Sequence, residues 1–333
     1  LYTQHDRPLS ADEVDRYRAL IARRARHEPV AYILQRAHFR HLTLEVGPAV
    51  LIPRPETEEL VDLVLETVRR RPHWEVSRDQ RGQADAASPG SLSPPPLIAD
   101  VGTGSGAIAL SVAQETGARV LAIDDSEDAL AVAARNRAAA RLDERVDLRS
   151  ADLLTGVADH SLRLVVSNPP YVTSQEMRSL APDVRSFEPA AALHGGVDGL
   201  DVHRRLLPEA ARVLLPGGTA LLEVGSGQAE AVVDIATAAS FVLTEVHRDL
   251  SGKERLVAAT LPGAPVRGLL DPEDPLVGAL GEALRAGAVI GLPTDTVYGL
   301  GARWDSAAGV RRLFEAKGRD EAQPVAVIFP SVA

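Results

Sequence analysis

The chain has 333 residues, of which 45% are hydrophobic and 25% charged, so it is long enough for two or three globular domains. A formal net charge of −10 argues against tight, backbone-driven binding of nucleic acid. Cysteine is absent, which excludes disulfides and thiolate metal sites, and no apolar run is long enough to cross a bilayer. With no secretory signal either, the sequence predicts a cytoplasmic protein with no bound metal and no membrane contact.

The N-terminal region is predicted to be helical. Ser10 and Glu13 form an S-x-x-E capping box ahead of apolar residues at helical spacing, which predicts a helix from residue 11. A short α–β segment follows. Pro55, within LIPRPETEELVDLVLETV, then marks the start of a helix that runs to about Val68.

Residues 72–96 are rich in proline, glycine, serine and charge, and we expect them to form a disordered loop. Beyond this loop, strands alternate with helices, which predicts a doubly wound, mostly parallel α/β sheet. The last two strands are joined only by RDLSGKE and should form an antiparallel hairpin at the end of the sheet. We predict strands at 97–101, 119–123, 146–149, 162–167, 219–224, 241–247 and 254–260, and helices at 106–115, 126–140, 200–214 and 227–238.

A second linker precedes a further helix at 276–286 and a strand at 288–292. The residues after this linker are too few for a sizeable independent core, so we expect an incomplete α/β segment whose remainder is absent. The predicted domains are a helical domain at 1–45, a connecting segment and helix at 46–71, the loop at 72–96, a main α/β domain at 97–261, a linker at 262–275 and the partial segment at 276–333.

A glycine-rich turn, LIADVGTGSGAIAL, joins the first strand of the α/β domain to its helix. Gly102, Gly104 and Gly106 let a ligand approach the backbone closely, and the helix N-terminus offers free N–H groups. The spacing differs from the G-x-G-x-x-G of dinucleotide sites, and Asp100 stands just before the first glycine. A carboxylate there would repel a pyrophosphate but would suit a ligand with a cationic amino group and a sulfonium, such as S-adenosylmethionine.

Two further acids follow the next two strands. Asp124 closes the second strand, where a carboxylate can accept both ribose hydroxyls, and Asp152 in SADLL is placed to meet the adenine amino group. Each feature alone also fits a purely structural turn or helix cap. Their order, at the ends of three successive strands, predicts a site for S-adenosylmethionine.

The fourth strand ends in SNPPYVT. Two prolines remove two backbone donors and fix φ twice, so the strand cannot continue pairing beyond Asn168. The side-chain oxygen of Asn168 and the carbonyl of Pro169 can then hold both hydrogens of a planar –NH2 group, while Pro170 or Tyr171 packs on its face. A rigid Asn-Pro turn without chemistry is the alternative.

Residues from about 10 to 261 resemble the HemK/PrmC family of protein-(glutamine-N5) methyltransferases. The resemblance implies a small helical domain that grips a peptide-chain release factor, here shortened by its first helices. It also implies a class I methyltransferase domain that acts on the glutamine of a Gly-Gly-Gln tripeptide. The matching stretches are EPVAYIL, LIPRPETEELV, DVGTGSGAIAL, SNPPYV, DVRSFEPAAALHGGVDGLD, LLPGGTALLEVGSGQ and RDLSGKERLV.

The resemblance also implies roles for individual residues. The glutamine amide would be bound by the Asn-Pro-Pro-Tyr residues 168 to 171, of which Asn168, Pro169 and Tyr171 are the predicted catalytic residues. Asp100 and Asn168 complete the predicted donor site. The other donor-binding residues that it implies are Gly102, Thr103, Gly104, Ser105, Gly106, Asp124, Asp152 and Leu153.

The tail resembles a second family, the YrdC-type threonylcarbamoyl-adenylate synthases. The matching stretches are GAVIGLPTDTVYGLGARW and LFEAKGRDEAQP. The resemblance implies that Thr296 lies by the threonine and that Lys317 and Arg319 contact ATP phosphates. Asp320 stands where the family has a proline, and we expect the segment to be an inactive fragment.

Two other functions stay open at this stage. Asn-Pro-Pro-Tyr also occurs in methyltransferases that act on the amino group of adenine or cytosine, but such enzymes need a basic face, and we expect no direct DNA binding by this acidic chain. Threonylcarbamoyl-adenylate synthase activity is the other alternative, provided that the C-terminal segment is completed elsewhere.

Overall fold

The computed structural model describes residues 9–69, 97–249, 251–263, 281–293, 298–303 and 305–317. The chain divides into two units, Leu1–Gly263 and Ala264–Ala333. The predicted loop at 72–96, most of the predicted linker, and the predicted site residues Thr296 and Arg319 lie outside the described residues. The domain boundaries given above stay predictions.

The first unit begins with the predicted capped helix. The Ser10 hydroxyl accepts from Glu13 N at 3.2 Å, and the Glu13 carboxylate accepts from Ser10 N at 2.8 Å, so the capping box is present. A short helix and an antiparallel hairpin follow. The next helix begins at Pro55, and proline is tolerated there because the N–H group at the first helical position has no partner within the helix. These elements are α1 (Ala11–Arg24), α2 (Val30–Leu34), β1 (Arg36–Phe39), β2 (Leu42–Glu45) and α3 (Pro55–Arg69).

Seven strands of the first unit form one sheet in the order β5-β4-β3-β6-β7-β9-β8. The strands β3 to β7 pair in parallel, whereas β9 pairs antiparallel with both β7 and β8. The predicted doubly wound, mostly parallel sheet with a terminal antiparallel hairpin is therefore confirmed. The strands are β3 (Ile98–Val101), β4 (Val120–Asp124), β5 (Val146–Ser150), β6 (Leu162–Ser167), β7 (Leu214–Glu223), β8 (Leu243–Arg248) and β9 (Glu254–Thr260).

Helices cover both faces of this sheet. Leu162 and Val165 of β6 belong to a core cluster with the helices at 201–213 and 229–238, whereas Leu164 and Val166 belong to a cluster with α3 and the helix at 107–116. Burial on both faces explains why β6 reads as a continuous apolar run. The helices between and after the strands are α4 (Ala107–Thr116), α5 (Glu127–Ala140), α6 (Pro182–Phe187), α7 (Asp201–Val213) and α8 (Ala229–Ala238).

In the first unit, β7 and α6 differ from the sequence prediction. β7 begins at Leu214 rather than at 219, because Leu214 pairs with Leu162 before a register shift lets Thr219 pair with Leu164. α6 was not predicted, since none of its residues is buried and it has no apolar periodicity to reveal it. Among the described helices, none is long and apolar enough to cross a membrane.

The second unit is described only in part. Residues 281–285 are helical, strands Ile290–Pro293 and Tyr298–Gly301 pair antiparallel, and a helix spans Ala307–Lys317. The strand at 298–301 was not predicted, because two of its four residues are glycines that mask a strand pattern.

Candidate active site

The predicted site residues come together at one edge of the sheet. The register pairs Val101 of β3 with Ile123 of β4 on one side and with Ser167 of β6 on the other. Asp124 pairs with Ser150 of β5. The glycine turn and the residues that follow β5 and β6 are therefore neighbours at the carboxyl ends of these strands, the usual place for a ligand in such a sheet.

The glycine turn adopts the backbone that its sequence demands. Gly102, Gly104 and Gly106 have φ values of 73°, 55° and 83°, in the left-handed region that glycine enters without strain. A Cβ at Gly102 or Gly104 would meet nothing within 4 Å, so open space lies over this part of the turn. Backbone N–H groups of Gly102 and Thr103 donate to the Ile123 carbonyl at 2.9 Å and hold the turn against β4.

Asp100 is a fully buried carboxylate with one unused oxygen. Its Oδ2 accepts from Thr103 Oγ1 at 2.7 Å and from Ala109 N at 3.0 Å, whereas its Oδ1 has no hydrogen-bond partner among the described residues. Burial raises the pKa of Asp100 to about 7, and the nearby carboxylate of Asp124 adds to the rise. A buried oxygen without a donor is costly, and a cationic ligand group would satisfy it.

Asp124 fixes the glycine turn and keeps acceptor capacity. Its Oδ2 accepts from Gly104 N at 2.8 Å and its Oδ1 from Ser126 N at 3.0 Å. Burial raises the pKa of this carboxyl, the charge of Asp125 adds to the rise, and backbone hydrogen bonds from Gly104, Ser126 and Asp125 oppose it. Each oxygen has a second lone pair, so the carboxylate can still accept one ribose hydroxyl on each side.

Thr103 and Ser105 face the protein. The Thr103 hydroxyl is bound to Asp100, and the Ser105 carbonyl accepts from Asn136 Nδ2 at 2.8 Å. Asn136 also accepts from Glu45 N at 2.7 Å and donates to Glu45 O at 3.0 Å, so it ties the turn to the β1–β2 hairpin. Sequence reasoning missed Asn136, because an asparagine inside a helix gives no signal of a distant partner.

The residues predicted to contact adenine lie next to Asp124. Ala151 N donates to the Asp124 carbonyl at 3.1 Å, which sets the following residues beside β4. Asp152 is exposed and pairs with Arg205 at 2.6 Å. Leu153, with φ of 50°, is half-buried against the core cluster. The Asp152 carboxylate thus already has a cationic partner, and its predicted contact with adenine stays a prediction.

The Asn-Pro-Pro-Tyr loop that follows β6 is held by hydrogen bonds that lead to the buried carboxylate of Glu223. Asn168 Nδ2 donates to Thr57 Oγ1 at 3.0 Å, and Thr57 Oγ1 donates to Glu223 Oε2 at 2.7 Å. Tyr171 OH donates to the other oxygen of Glu223 at 3.1 Å. Among the described residues, no donor reaches Asn168 Oδ1 or the carbonyl of Pro169. The two predicted acceptors are therefore free.

Burial raises the pKa of Glu223, at the end of β7. The hydrogen bonds from Thr57 and Tyr171 and the charge of Arg255 oppose that rise, whereas Glu56 adds to it. Burial beside this carboxylate also raises the pKa of Tyr171, which stays a donor. Two donors on one carboxylate form the arrangement that an ionised acid requires.

Glycines of two later stretches pack directly over the loop. A Cβ at Gly195 would lie 2.6 Å from the Pro170 carbonyl oxygen, and a Cβ at Gly199 would collide with the Tyr171 carbonyl oxygen. Gln228 Nε2 donates to that same Tyr171 oxygen at 2.9 Å. The stretches HGGVDG and EVGSGQ thus pack against one side of the loop, and Gly195 and Gly199 allow this close approach.

An ion pair between a part-exposed arginine and a buried carboxylate joins the segment before α3 to the end of α6. Arg54 donates to Glu188 at 2.6 Å, and the same carboxylate accepts from Ile52 N at 3.1 Å. This pair holds the chain that delivers Thr57 to the site. Sequence reasoning assigned no role to Thr57 or Glu223, although a lone acid at the end of the apolar strand ALLE was the available signal.

The residues present fit S-adenosylmethionine. Asp100 offers an unpartnered buried oxygen for a cationic amino group, open space lies over Gly102 and Gly104, and Asp124 retains lone pairs for hydroxyls. In the part of the chain that the structure describes, no group of three or more His, Asp or Glu side chains could hold a metal ion.

Comparison with known proteins decides the family. A release factor glutamine methyltransferase from Geobacter sulfurreducens is 38% identical over 78% of this chain and 83% of its own length. The chain belongs to the release factor glutamine methyltransferase family. The human MTRF1L release factor glutamine methyltransferase is 39% identical over 77% of this chain and 73% of its own length. The resemblance stated from the motifs is therefore confirmed, and the chain is an S-adenosylmethionine-dependent methyltransferase.

Family profiles match three parts of this methyltransferase. The PrmC N-terminal domain matches residues 1–34, the methyltransferase small domain matches 94–184, and the Sua5/YciO/YrdC family, described as "Telomere recombination", matches 282–333. Lys317 ends the last described helix, and its predicted role, like those of Thr296 and Arg319, stays a prediction. A crystal structure of a methyltransferase from Pyrococcus furiosus has a TM-score of 0.44 and 17% identity over 74% of this chain and 98% of that protein.

The pKa of Asp100 leads to a prediction about donor binding. Because a cationic amino group favours the ionised carboxylate, we expect the Kd for S-adenosylhomocysteine to be about tenfold weaker at pH 6 than at pH 8. Asp100→Asn should bind weakly with a flat pH profile. Titration calorimetry at both pH values measures this, and an equal pH dependence in the variant would contradict it.

The same substitution should have the opposite effect on the unliganded protein. The pKa of Asp100 in the folded state is raised above its unfolded value, so folding stability falls as the pH rises from that value to about 7. Asparagine does not ionise, so the variant does not undergo this loss of stability as the pH rises. We expect unliganded Asp100→Asn to be at least as stable as the natural chain at pH 8 in thermal unfolding, and a less stable variant would contradict the prediction.

Proposed function

We propose that Asn168 Oδ1 and the Pro169 carbonyl bind the side-chain amide of the glutamine that this methyltransferase modifies, in the Gly-Gly-Gln motif of a peptide-chain release factor. The observation that carries the proposal is the pair of free acceptors on a rigid loop, one strand away from the glycine turn. Two acceptors at fixed positions hold both hydrogens of a planar –NH2 group and set the direction of its nitrogen.

An amide nitrogen is a weak nucleophile, because its lone pair is delocalised into the carbonyl. Hydrogen bonds from its two N–H groups to Asn168 and Pro169 raise its electron density, and they stabilise the positive charge that grows as the N–C bond forms. The bound S-adenosylmethionine supplies an activated methyl group on a sulfonium. The nitrogen would form a bond to the methyl carbon as the S–CH3 bond breaks, S-adenosylhomocysteine would leave as the neutral thioether, and one proton of the nitrogen would pass to water.

The N-terminal helix supports docking of a protein substrate. No residue of α1 is buried, and Tyr17 and Ile21, one helical turn apart, are 62% and 51% exposed. Exposed large apolar side chains at this spacing suit a partner surface. We propose that α1 contributes to the release-factor contact.

An amino group of a nucleic-acid base is the competing acceptor. Three arginines near this edge of the sheet are ion-paired: Arg54 with Glu188, Arg205 with Asp152 and Arg204 with Asp198. With a net charge of −10, these neutralised cations leave little to attract a phosphate backbone. The charges therefore favour the protein substrate.

One assay separates the two acceptors. The purified chain is incubated with labelled S-adenosylmethionine and one of three substrates: a release factor, the same factor with the glutamine of Gly-Gly-Gln changed to alanine, or duplex DNA. We expect label on the first alone. Label on DNA, or equal label on the alanine variant, would overturn the proposal.

Asn168→Ala removes one of the two acceptors. We expect methyl transfer to fall by about 100-fold or more, as when one preorganised hydrogen-bonding group is lost from an active site. The Kd for S-adenosylhomocysteine should change little. A matching loss of donor affinity would show that Asn168 mainly positions the donor.

Gly199→Ala tests the packing against the loop. Its φ of 79° makes alanine strained by about 1–2 kcal/mol, and the new Cβ would also displace the Tyr171 carbonyl. Gly252→Ala is the matched control, because Gly252 has φ of 82° and nothing within 4 Å of an added Cβ. We expect both variants to lose stability but only Gly199→Ala to lose methyl transfer, and equal activity in the two variants would rule out a role for this packing.

A further inference from the structure

The buried carboxylate of Glu223 is connected to both ends of the Asn-Pro-Pro-Tyr loop. One of its oxygens accepts from Tyr171, and the other accepts from Thr57, which in turn accepts from Asn168. Glu223 and Thr57 are only 2% and 4% exposed. The Thr57–Glu223 bond is therefore buried away from water and stronger than it would be at the surface, and the bonds to Asn168 and Tyr171 are part-buried.

With Glu223 ionised, chemistry fixes the direction of each bond in this chain. An ionised carboxylate only accepts, so Thr57 must donate its single hydroxyl hydrogen to Glu223. The hydroxyl oxygen can then only accept from Asn168, which requires that Nδ2 and not Oδ1 face Thr57. The two ends of an amide have nearly the same shape, so packing alone would not select between its two orientations.

We propose that Thr57 and Glu223 are positioning residues for methyl transfer. Through the Thr57 hydroxyl, the carboxylate holds the Asn168 amide with its oxygen toward the acceptor nitrogen. Through Tyr171, it holds the far end of the same loop. The inference rests on the proposed function, because it assigns the orientation of an amide that binds the acceptor.

A reversed amide would be unproductive. Asn168 Nδ2 would then face the –NH2 group of the substrate, so two donors would oppose each other and only the Pro169 carbonyl would remain as an acceptor. Loss of the Thr57 hydroxyl permits this reversal without removing Asn168. Replacement of Glu223 by glutamine also permits it, because a glutamine amide can donate to Thr57 and reverse the polarity of the chain of bonds.

Thr57→Val tests the hydroxyl in the full chain, since valine keeps the shape and loses only the hydrogen bonds. We expect kcat for release-factor methylation to fall by about tenfold or more. Without the hydroxyl, the Asn168 amide can adopt two orientations, and only one of them presents its oxygen to the substrate. The Kd for S-adenosylhomocysteine should stay within about twofold. Thr57→Ser restores the hydroxyl and should recover most of the kcat.

Thr67→Val is the matched control on the same helix. The Thr67 hydroxyl donates to the Leu63 carbonyl within α3, so this variant loses a hydroxyl bond that has no link to Asn168. We expect its kcat to equal that of the natural chain. Thermal unfolding of each variant shows whether a lower rate reflects a loss of fold.

A double substitution shows whether Glu223 and Thr57 act on kcat through one chain of hydrogen bonds or independently. If Glu223 acts through Thr57, the loss of kcat in Thr57→Val/Glu223→Gln should be smaller than the product of the two single losses. Multiplying losses would overturn the inference, and so would full activity in Thr57→Val or a Thr57→Ser variant as slow as Thr57→Val. If the natural chain and Thr67→Val both fail to methylate the release factor, the proposed function itself fails.

Discussion

Strand β6 is the element on which the site depends, because it is buried on both faces and paired on both edges until Ser167. Its end is therefore one of the best-fixed points of the sheet. The two prolines that follow stop the pairing while they keep the backbone rigid. On one side of this exit lies the glycine turn after β3, and on the other side lies Glu223 at the end of β7. The register of the sheet thus places the donor site and the acceptor loop side by side.

The two buried carboxylates at this edge differ in how their oxygens are hydrogen-bonded. Asp100 keeps one oxygen without a partner among the described residues, and its pKa is raised to about 7. Glu223 has donors on both oxygens. Burying a carboxylate oxygen without a hydrogen-bond donor weakens the fold. A bound ligand would supply the donor that Asp100 lacks. Glu223 is complete without a ligand and acts instead as a rigid anchor for the loop.

Much of the fold could be predicted from local patterns. The alternation of strands and helices predicted the sheet, and β6 and β9 have the bounds that the sequence indicated. The start of β7 could not be predicted, because Leu214 pairs with Leu162 through a bulge that contains Pro216 and two glycines. Proline and glycine normally end a strand, and only the neighbouring strand shows that pairing resumes.

The site shows the same limit. The glycine turn, Asp124 and the Asn-Pro-Pro-Tyr loop could be found because each is a short local pattern. Thr57 lies 111 residues from Asn168 and 166 from Glu223, so no local pattern connects these three residues. Their association depends on how α3 packs beside β7, which periodicity does not specify. Supporting contacts of this kind became visible only with the structure.

Two acceptors for one –NH2 group do not by themselves choose a substrate, since adenine, cytosine and glutamine all present such a group. The choice must come from what surrounds the loop. Here Arg54 and Arg205 are paired with carboxylates and the chain is acidic, whereas α1 exposes apolar side chains. These surroundings attract a phosphate backbone only weakly, whereas the exposed apolar side chains offer contact area to a protein surface. The same loop can therefore serve different acceptors in different proteins, because the loop determines the chemistry and the surfaces around it determine what reaches it.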